Sequence, residues 1–215
     1  MTSQSRATVA AAAPDSWAAM KRGAEAGAIP AKVFDKLRAT VSRNLEELSM
    51  QLTARTAEPE DALAVTEIYN QGIEDRIATF ETRPRDVSDI LPWFRHAYAF
   101  VSVTDGSGEV VGYAVAHPYA ETPWYRGIGA FSVYVRRSHR GRGVGRVAMA
   151  ALIDASRADG LWKLYSRVFP ENRASLALMA RMGFKEIGVH EKHGKLDGVW
   201  KDCVNVELLI PENLD

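Results

Sequence analysis

The chain has 215 residues, 47% of them hydrophobic, and its 27 acidic side chains balance 27 basic ones. That length suits one sizeable domain plus an appendage, with a core large enough to need no covalent staple. Balanced charge gives no global field to recruit nucleic acid or an anionic membrane, and the single cysteine, Cys203, excludes an internal disulfide and any multi-cysteine metal site.

No uncharged run approaches the ~18 residues needed to span a bilayer, so no membrane partner is expected. Ala7 to Ala13 is short and preceded only by Arg6, which argues against a signal peptide and makes the cytoplasm the expected location. Met1 to Pro14 has nothing to bury and reads as poorly ordered. Asp15 or Ser16 then caps a helix carrying Trp17 and Met20, broken at Gly27 and Pro30. Val33, Phe34, Leu37, Val41, Leu45 and Leu48 form one apolar stripe of a second helix, which must be covered by the main domain or by a second copy of the chain.

From Thr53 the texture changes. Thr53 to Ala57 reads as a strand, and Glu58-Pro59-Glu60-Asp61 as an acidic helix start before Ala62, Leu63, Val65, Ile68 and Tyr69. Asp89 to Tyr98 reads as a helix with Pro92 in its first turn, and Ala99 to Thr104 with Glu109 to His117 as a hairpin turning at Asp105 to Gly108. Pro118 to Arg126 is an aromatic loop. After the segment from Phe131 to about Gly160 comes a strand at Leu164 to Phe169, and Pro170 to Ser175 then leads into a helix that stops at Gly183-Phe184. Glu186 to Glu191 and Lys201 to Ile210 close the chain as an antiparallel pair, with a polar loop from His193 to Val199. Cys203 lies in strand-like alternation and reads as a structural thiol.

Phe131 to Ala150 carries the densest chemistry. A β-branched and aromatic strand runs into Arg140-Gly141-Arg142-Gly143-Val144-Gly145 and then into good helix formers. Glycines let backbone N–H groups approach an anion at the positive end of a helix dipole. The GxxxxGK[ST] spacing of a P-loop is missing, and no acidic residue ends a second strand at the dinucleotide spacing. Taken alone, the segment also fits a solvated glycine turn or an RNA-binding arginine/glycine patch.

Arg140, Gly143 and Gly145 match the three fixed positions of [QR]xxGx[GA], and the segment resembles motif A of the GCN5-related N-acetyltransferases (GNAT). Two further words agree: Ile68-Tyr69-Asn70 with Ala78-Thr79-Phe80-Glu81-Thr82, similar to the phosphinothricin branch of that superfamily, and Asn172, Leu178, Gly183 and Phe184, similar to its NxxAxxLYxKxGF word. The C-terminal words, Tyr165-Ser166-Arg167 and Lys195 to Asp202, look most like the arsinothricin group within the branch.

The resemblance implies an α/β (α+β) GNAT fold over residues 53–211, with a mixed, mostly antiparallel sheet flanked by helices, after an N-terminal extension of residues 1–52. It implies acetyl-CoA as cosubstrate, held by Val133, Tyr134, Val135, Arg140, Gly141, Arg142, Gly143, Val144, Gly145, Asn172 and Ser175. It implies transfer to the amine of a small amino-acid-like molecule, with a resistance or detoxification role, and a homodimer. Thr79, Phe80, Tyr119, Trp124 and Arg126 are the expected acceptor-pocket residues, although Thr79 and Phe80 could equally seat their loop on the core, and the branch's substrate arginine is Thr122 here.

The proton acceptor departs from the pattern. The branch carries a glutamate where this chain has Ala130, a loop histidine where it has Asp197, and a helix tyrosine where it has Met179. Asp197, His193 and Tyr134 are then the catalytic candidates, with Asp197-Gly198 also readable as plain turn chemistry. His190 and His117 are further titratable groups, and the dispersed histidines make no metal site. The alternative is an acetyl-CoA-binding or interaction module that has lost its base.

Overall fold

The structure, a computed structural model, describes residues 51–214 and a few positions between Pro30 and Lys36. Lys32, Val33 and Lys36 are helical; the remaining readings of residues 1–50 lie outside the described residues. A boundary at Ser49/Met50 separates that segment from the unit Met50–Asp215.

Seven strands form the sheet: β1 (Thr53–Thr56), β2 (Ala99–Thr104), β3 (Val110–Pro118), β4 (Ile128–Val135), β5 (Lys163–Val168), β6 (Lys185–Leu196) and β7 (Val199–Leu209), in the sheet order β1-β2-β3-β4-β5-β7-β6. β-Branched and aromatic residues make β2 and β3 buried on both faces, whereas β6 is mostly exposed. Every pairing is antiparallel except β4 with β5. This is the mixed, mostly antiparallel sheet that the family resemblance implies.

Helices α1 (Ala62–Asp75), α2 (Val87–Ile90) and α3 (Trp93–His96) precede β2; α4 (Val144–Ala158) and α5 (Arg173–Arg181) follow β4 and β5. The α1 stripe Val65, Ile68, Tyr69 and Ile73 packs on Phe100, Tyr113, Val115 and Tyr134 on one sheet face. The α4 stripe Val144, Ala148, Met149 and Leu152 packs on Val101, Ala114, Phe131 and Leu164 on the other, joined by Met179 of α5. Each fully buried aliphatic side chain contributes about 1.5–3 kcal/mol. Close approaches at the α1 and α4 contacts demand glycine: a Cβ on Gly72 would lie 2.5 Å from the Tyr134 ring, and one on Gly112 2.5 Å from Val144.

Three sequence readings are corrected. The helix expected over Asp89 to Tyr98 is two single turns, α2 and α3, divided at Leu91-Pro92. Pro92 has no N–H to give and its ring crowds the preceding turn, so α2 stops before it and α3 starts anew with Pro92 as its N-cap. The expected loop from His193 to Val199 is strand on both sides of a two-residue turn, because Asp197 (φ 48°) and Gly198 (φ 83°) both take left-handed conformations and reverse the chain at once. The central strand starts at Ile128, not Phe131.

The entry to α1 is held by Asp61, only 5% exposed. Arg55 donates to both of its oxygens at 2.7 Å, Ser102 Oγ donates at 2.8 Å and the Glu58 N–H at 3.0 Å. Burial alone would raise the Asp61 carboxyl, but the hydrogen bonds from Arg55, Glu58 and Ser102 outweigh it and hold it below the usual carboxylate range. A depressed folded-state value stabilises above the unfolded value, about 3.9, and that stability is lost as pH falls through the folded one. Asp61→Ala should cost about 2 kcal/mol, or roughly 4–8 °C in Tm at pH 7, and the deficit should shrink as pH drops below about 4; thermal melts from pH 3 to 7 check this.

Candidate active site

The parallel contact between β4 and β5 is short: only Ile128, Gly129 and Ala130 pair, with Lys163, Leu164 and Tyr165. Beyond Ala130 the strands separate. Ser166 Oγ donates to the Phe131 carbonyl at 2.9 Å and Arg140 Nε to the Val135 carbonyl at 3.1 Å, so both carbonyls face away from β3. Strand alternation turns the main-chain N–H and C=O of Val133, between them, the same way, with no β5 residue paired to it.

The wedge so formed is a pocket lined by Ser132, Val133, Tyr134, Arg167, Phe169 and Met179. It shares Ile77, Ala78, Val133, Tyr134, Asn172 and Ser175 with a groove of about 620 Å³ that runs between α4 and α5 past Gly141, Gly143 and Gly145 to Arg181. The result is one cleft, narrow at the strand and wide at the helix N-terminus.

At the wide end, Gly141 (φ 74°) and Gly143 (φ 88°) take left-handed conformations, and an added Cβ on either would point into open space. Gly143 is the N-cap of α4, so the first N–H groups of that helix have no intrahelical acceptor and face an anion site. Arg140 and Arg137 ion-pair with Asp75 at the end of α1, fixing the loop from behind. Burial of Asp75 is outweighed by the hydrogen bonds from Arg140 and Arg137, which keep it ionised. Among the described residues Arg142 and Arg146 have no carboxylate partner and stand exposed beside the cleft.

Asn172 caps α5, accepting from the Ser175 N–H at 3.1 Å, and its amide donates to the Ile77 carbonyl at 3.2 Å. It thereby pins the segment after α1 across the mouth of the wedge. Among the described residues no group of three or more His, Cys, Asp or Glu could hold a metal ion, and no helix is long and apolar enough to cross a membrane.

A strand splayed from its parallel neighbour, a left-handed glycine loop and an open helix N-terminus define a site for an extended thioester that ends in a pyrophosphate. Comparison with known proteins agrees. Residues 65–184 match the acetyltransferase (GNAT) family. An L-methionine sulfoximine/L-methionine sulfone acetyltransferase from Pseudomonas paraeruginosa is 32% identical over 170 residues, 77% of this chain and 96% of its own. A phosphinothricin N-acetyltransferase from Streptomyces coelicolor is 32% identical over 158 residues, 71% of this chain and 92% of its own. Among solved structures, a GNAT superfamily phosphinothricin acetyltransferase from Sinorhizobium meliloti, in complex with acetyl-CoA, superposes with a TM-score of 0.71 at 26% identity, covering 76% of this chain and 90% of that one. The chain belongs to the GNAT family and is an acetyl-CoA-dependent N-acetyltransferase.

The residues read from sequence as catalytic lie apart. Tyr134 lines the wedge with its ring stacked on Tyr113 and against Tyr69, and its hydroxyl donates to the Ala78 carbonyl at 3.4 Å. Burial pushes the phenol well above its ordinary value, so at neutral pH Tyr134 can give a proton but not take one. Asp197 is 56% exposed at the β6–β7 turn, its carboxylate ion-paired with Arg76 at 3.0 Å. His193 lies at the β6 bulge, 2.7 Å from Arg167 and beside His190. Desolvation, then the charge of Arg167 and the nearby His190, push the His193 imidazole down. Ala130 pairs with His117 on β3 and Tyr165 on β5.

On the acceptor side, Phe80 packs edge-on against Phe169 at 4.8 Å and over Gly194, and Thr79 accepts the Glu81 N–H at 3.1 Å. Phe80 holds the α1–α2 loop against the sheet, and Thr79 stabilises the loop internally. Tyr119 stacks edge-on to Tyr165 at 5.4 Å, beside Ala130. Trp124 is 69% exposed at the tip of the β3–β4 loop, and Arg126 is exposed on the same loop. Cys203 is buried with Phe169 and Leu196, which raises its thiol and leaves it structural.

Sequence reasoning passed over Arg167, Ser166 and Met179 as wedge residues. Alternation along β5 was the available signal for the first two, since Ser166 and Arg167 fall on opposite faces next to the splay. Gly143→Ala should weaken CoA binding at least tenfold by calorimetry, because a side chain in the left-handed region costs about 1–2 kcal/mol and a methyl enters the anion site, while Tm moves by only a few degrees.

Proposed function

We propose that this acetyltransferase acts on the α-amine of a small amino-acid-like molecule of the phosphinothricin, arsinothricin or methionine sulfoximine type, as a resistance or detoxification enzyme. The observation that carries the reading is the wedge at Val133, which opens onto a sheet face bearing a cation. Arg167 lines the wedge, keeps no carboxylate partner among the described residues, and is backed by His193. A guanidinium so held suits the acidic group of such an acceptor, with Tyr119 and Tyr165 as apolar walls. The relatives named for phosphinothricin and methionine sulfoximine support the same class.

In this reading the cleft orients the thioester along β4, with the pyrophosphate at Gly141 to Gly145. The Val133 N–H donates to the carbonyl oxygen as it gains charge, and the Tyr134 phenol is placed to protonate the departing sulfur. Ser132 and Ala130 border the space in which the amine attacks. The β6 edge strand, which exposes Ile187 and Val189, supports pairing of two copies in solution.

The competing reading is an acetyl-CoA-binding module that no longer turns over, because Ala130 offers no carboxylate. Incubation with acetyl-CoA and a panel of L-phosphinothricin, L-arsinothricin, L-methionine sulfoximine and L-methionine sulfone, following free thiol, separates the two. We expect turnover of at least one, with Arg167→Gln raising KM for the acceptor at least tenfold and leaving that for acetyl-CoA within about twofold. CoA binding with no turnover of any panel member favours the module.

A further inference from the structure

Transfer to an amine needs a group that takes a proton at neutral pH, and the candidates on the wedge side of the sheet are few. The tyrosines are excluded by direction: burial raises Tyr69, Tyr113 and Tyr134 alike. Glu81 is ionised but committed, bound by Arg85 at 2.7 and 2.8 Å and by the Tyr69 hydroxyl at 2.8 Å. Asp197 belongs to its turn and to Arg76. His193 is held against the Arg167 guanidinium at 2.7 Å, whereas His117 has no hydrogen-bond or ion-pair partner among the described residues.

We propose that His117 receives the proton of the acceptor amine, in the place that the Ala130 side chain leaves open. This rests on the acetyl-transfer reading above. The β3–β4 register sets His117 directly across from Ala130, one pleat repeat along the strand from Ser132 at the wedge. Cross-strand partners point to the same face with Cβ atoms about 4.5–5.5 Å apart, so the imidazole shares its face with Ser132 and Tyr134. Ala130 brings only a methyl group to this position and is half-buried.

The ring is fixed from the other side. Trp93 of α3 stands edge-on to His117 at 5.1 Å, and Arg85 lies over the same indole at 5.5 Å. Among the groups facing it, Arg85 is the cation; Tyr165 lies across Ala130, and Arg95 and His96 of α3 are exposed. Desolvation, then the charge of Arg85, lower the imidazole from its ordinary 6.5. That direction favours the neutral ring at pH 7, and among the described residues the ring has no hydrogen-bond partner.

The balance is simple. The ammonium gives one proton to His117, directly or through one water, and the freed lone pair forms the C–N bond. The C–S bond breaks as the Tyr134 phenol gives its proton to the sulfur, the phenolate takes the second nitrogen-bound proton, and imidazolium returns its proton to solvent.

His117→Gln is expected to lower kcat/KM for the acceptor at least 100-fold, with acetyl-CoA affinity by calorimetry and Tm close to wild type. The wild-type profile should rise with pH through a single ionisation below 6.5 and level off by about pH 7, and the variant should lose that step. Ala130→Glu added to His117→Gln should restore at least tenfold, since a carboxylate is then returned to the same spot. Activity of His117→Gln within about threefold of wild type, or an unchanged pH profile, overturns the proposal alone. A loss that Ala130→Glu does not relieve, in a protein whose acetyl-CoA affinity has also fallen, marks His117 as structural and overturns it too. Wild-type protein that turns over no amine removes the acetyl-transfer reading, and this proposal with it.

Discussion

Three residues of parallel strand contact govern this molecule. If β4 and β5 paired along their whole length, the Val133 main chain would be spent on a ladder and no slot would reach the sheet centre. Because the pairing stops at Ala130 and Tyr165, the Val133 peptide group has no β5 partner and lies on the wall of the cleft. A main-chain polar group without a partner is costly where water is scarce, and the arrangement limits that cost by covering the flanking carbonyls with Ser166 and Arg140. Only the middle position stays open, where a ligand can supply the missing partner.

The two ends of the cleft are stabilised by different physics. At the helix end the cradle is backbone, made of glycines whose left-handed conformations no side chain would tolerate cheaply, with Asp75 neutralising the arginines that brace it. At the strand end the walls are aromatic. Tyr69, Tyr113, Tyr134 and Trp93 pack ring to ring beneath α1, and Gly72 exists to admit the Tyr134 ring. Low dielectric there keeps tyrosines protonated and a histidine neutral, so the same burial that stabilises the core selects which groups can move protons.

Much of this was legible in the residues. The cofactor half of the site reads from sequence because its parts are contiguous: strand, glycine turn and helix follow one another from Phe131 to Ala150. The acceptor half does not, because it is assembled by register. That His117 faces Ala130, or that Arg167 lines the wedge, depends on which strands are neighbours and where they part, and no local pattern encodes it. Asp197-Gly198 shows the converse, a dipeptide with a strong local meaning as a tight turn that competes with any catalytic reading. Pro92 marks the same lesson in a helix, where a missing N–H divides a periodic run into two single turns.

Backbone amide exchange, followed residue by residue with and without CoA, tests the account most directly. If the splayed strand and the glycine loop are the two ends of one acetyl-CoA cleft, the Val133 amide and the amides from Gly141 to Gly145 should gain protection together on CoA binding, while Asp197 and Gly198 stay unchanged. Protection confined to the glycine loop, with Val133 unaffected, would contradict the claim that the open peptide group of β4 is where the thioester end lies.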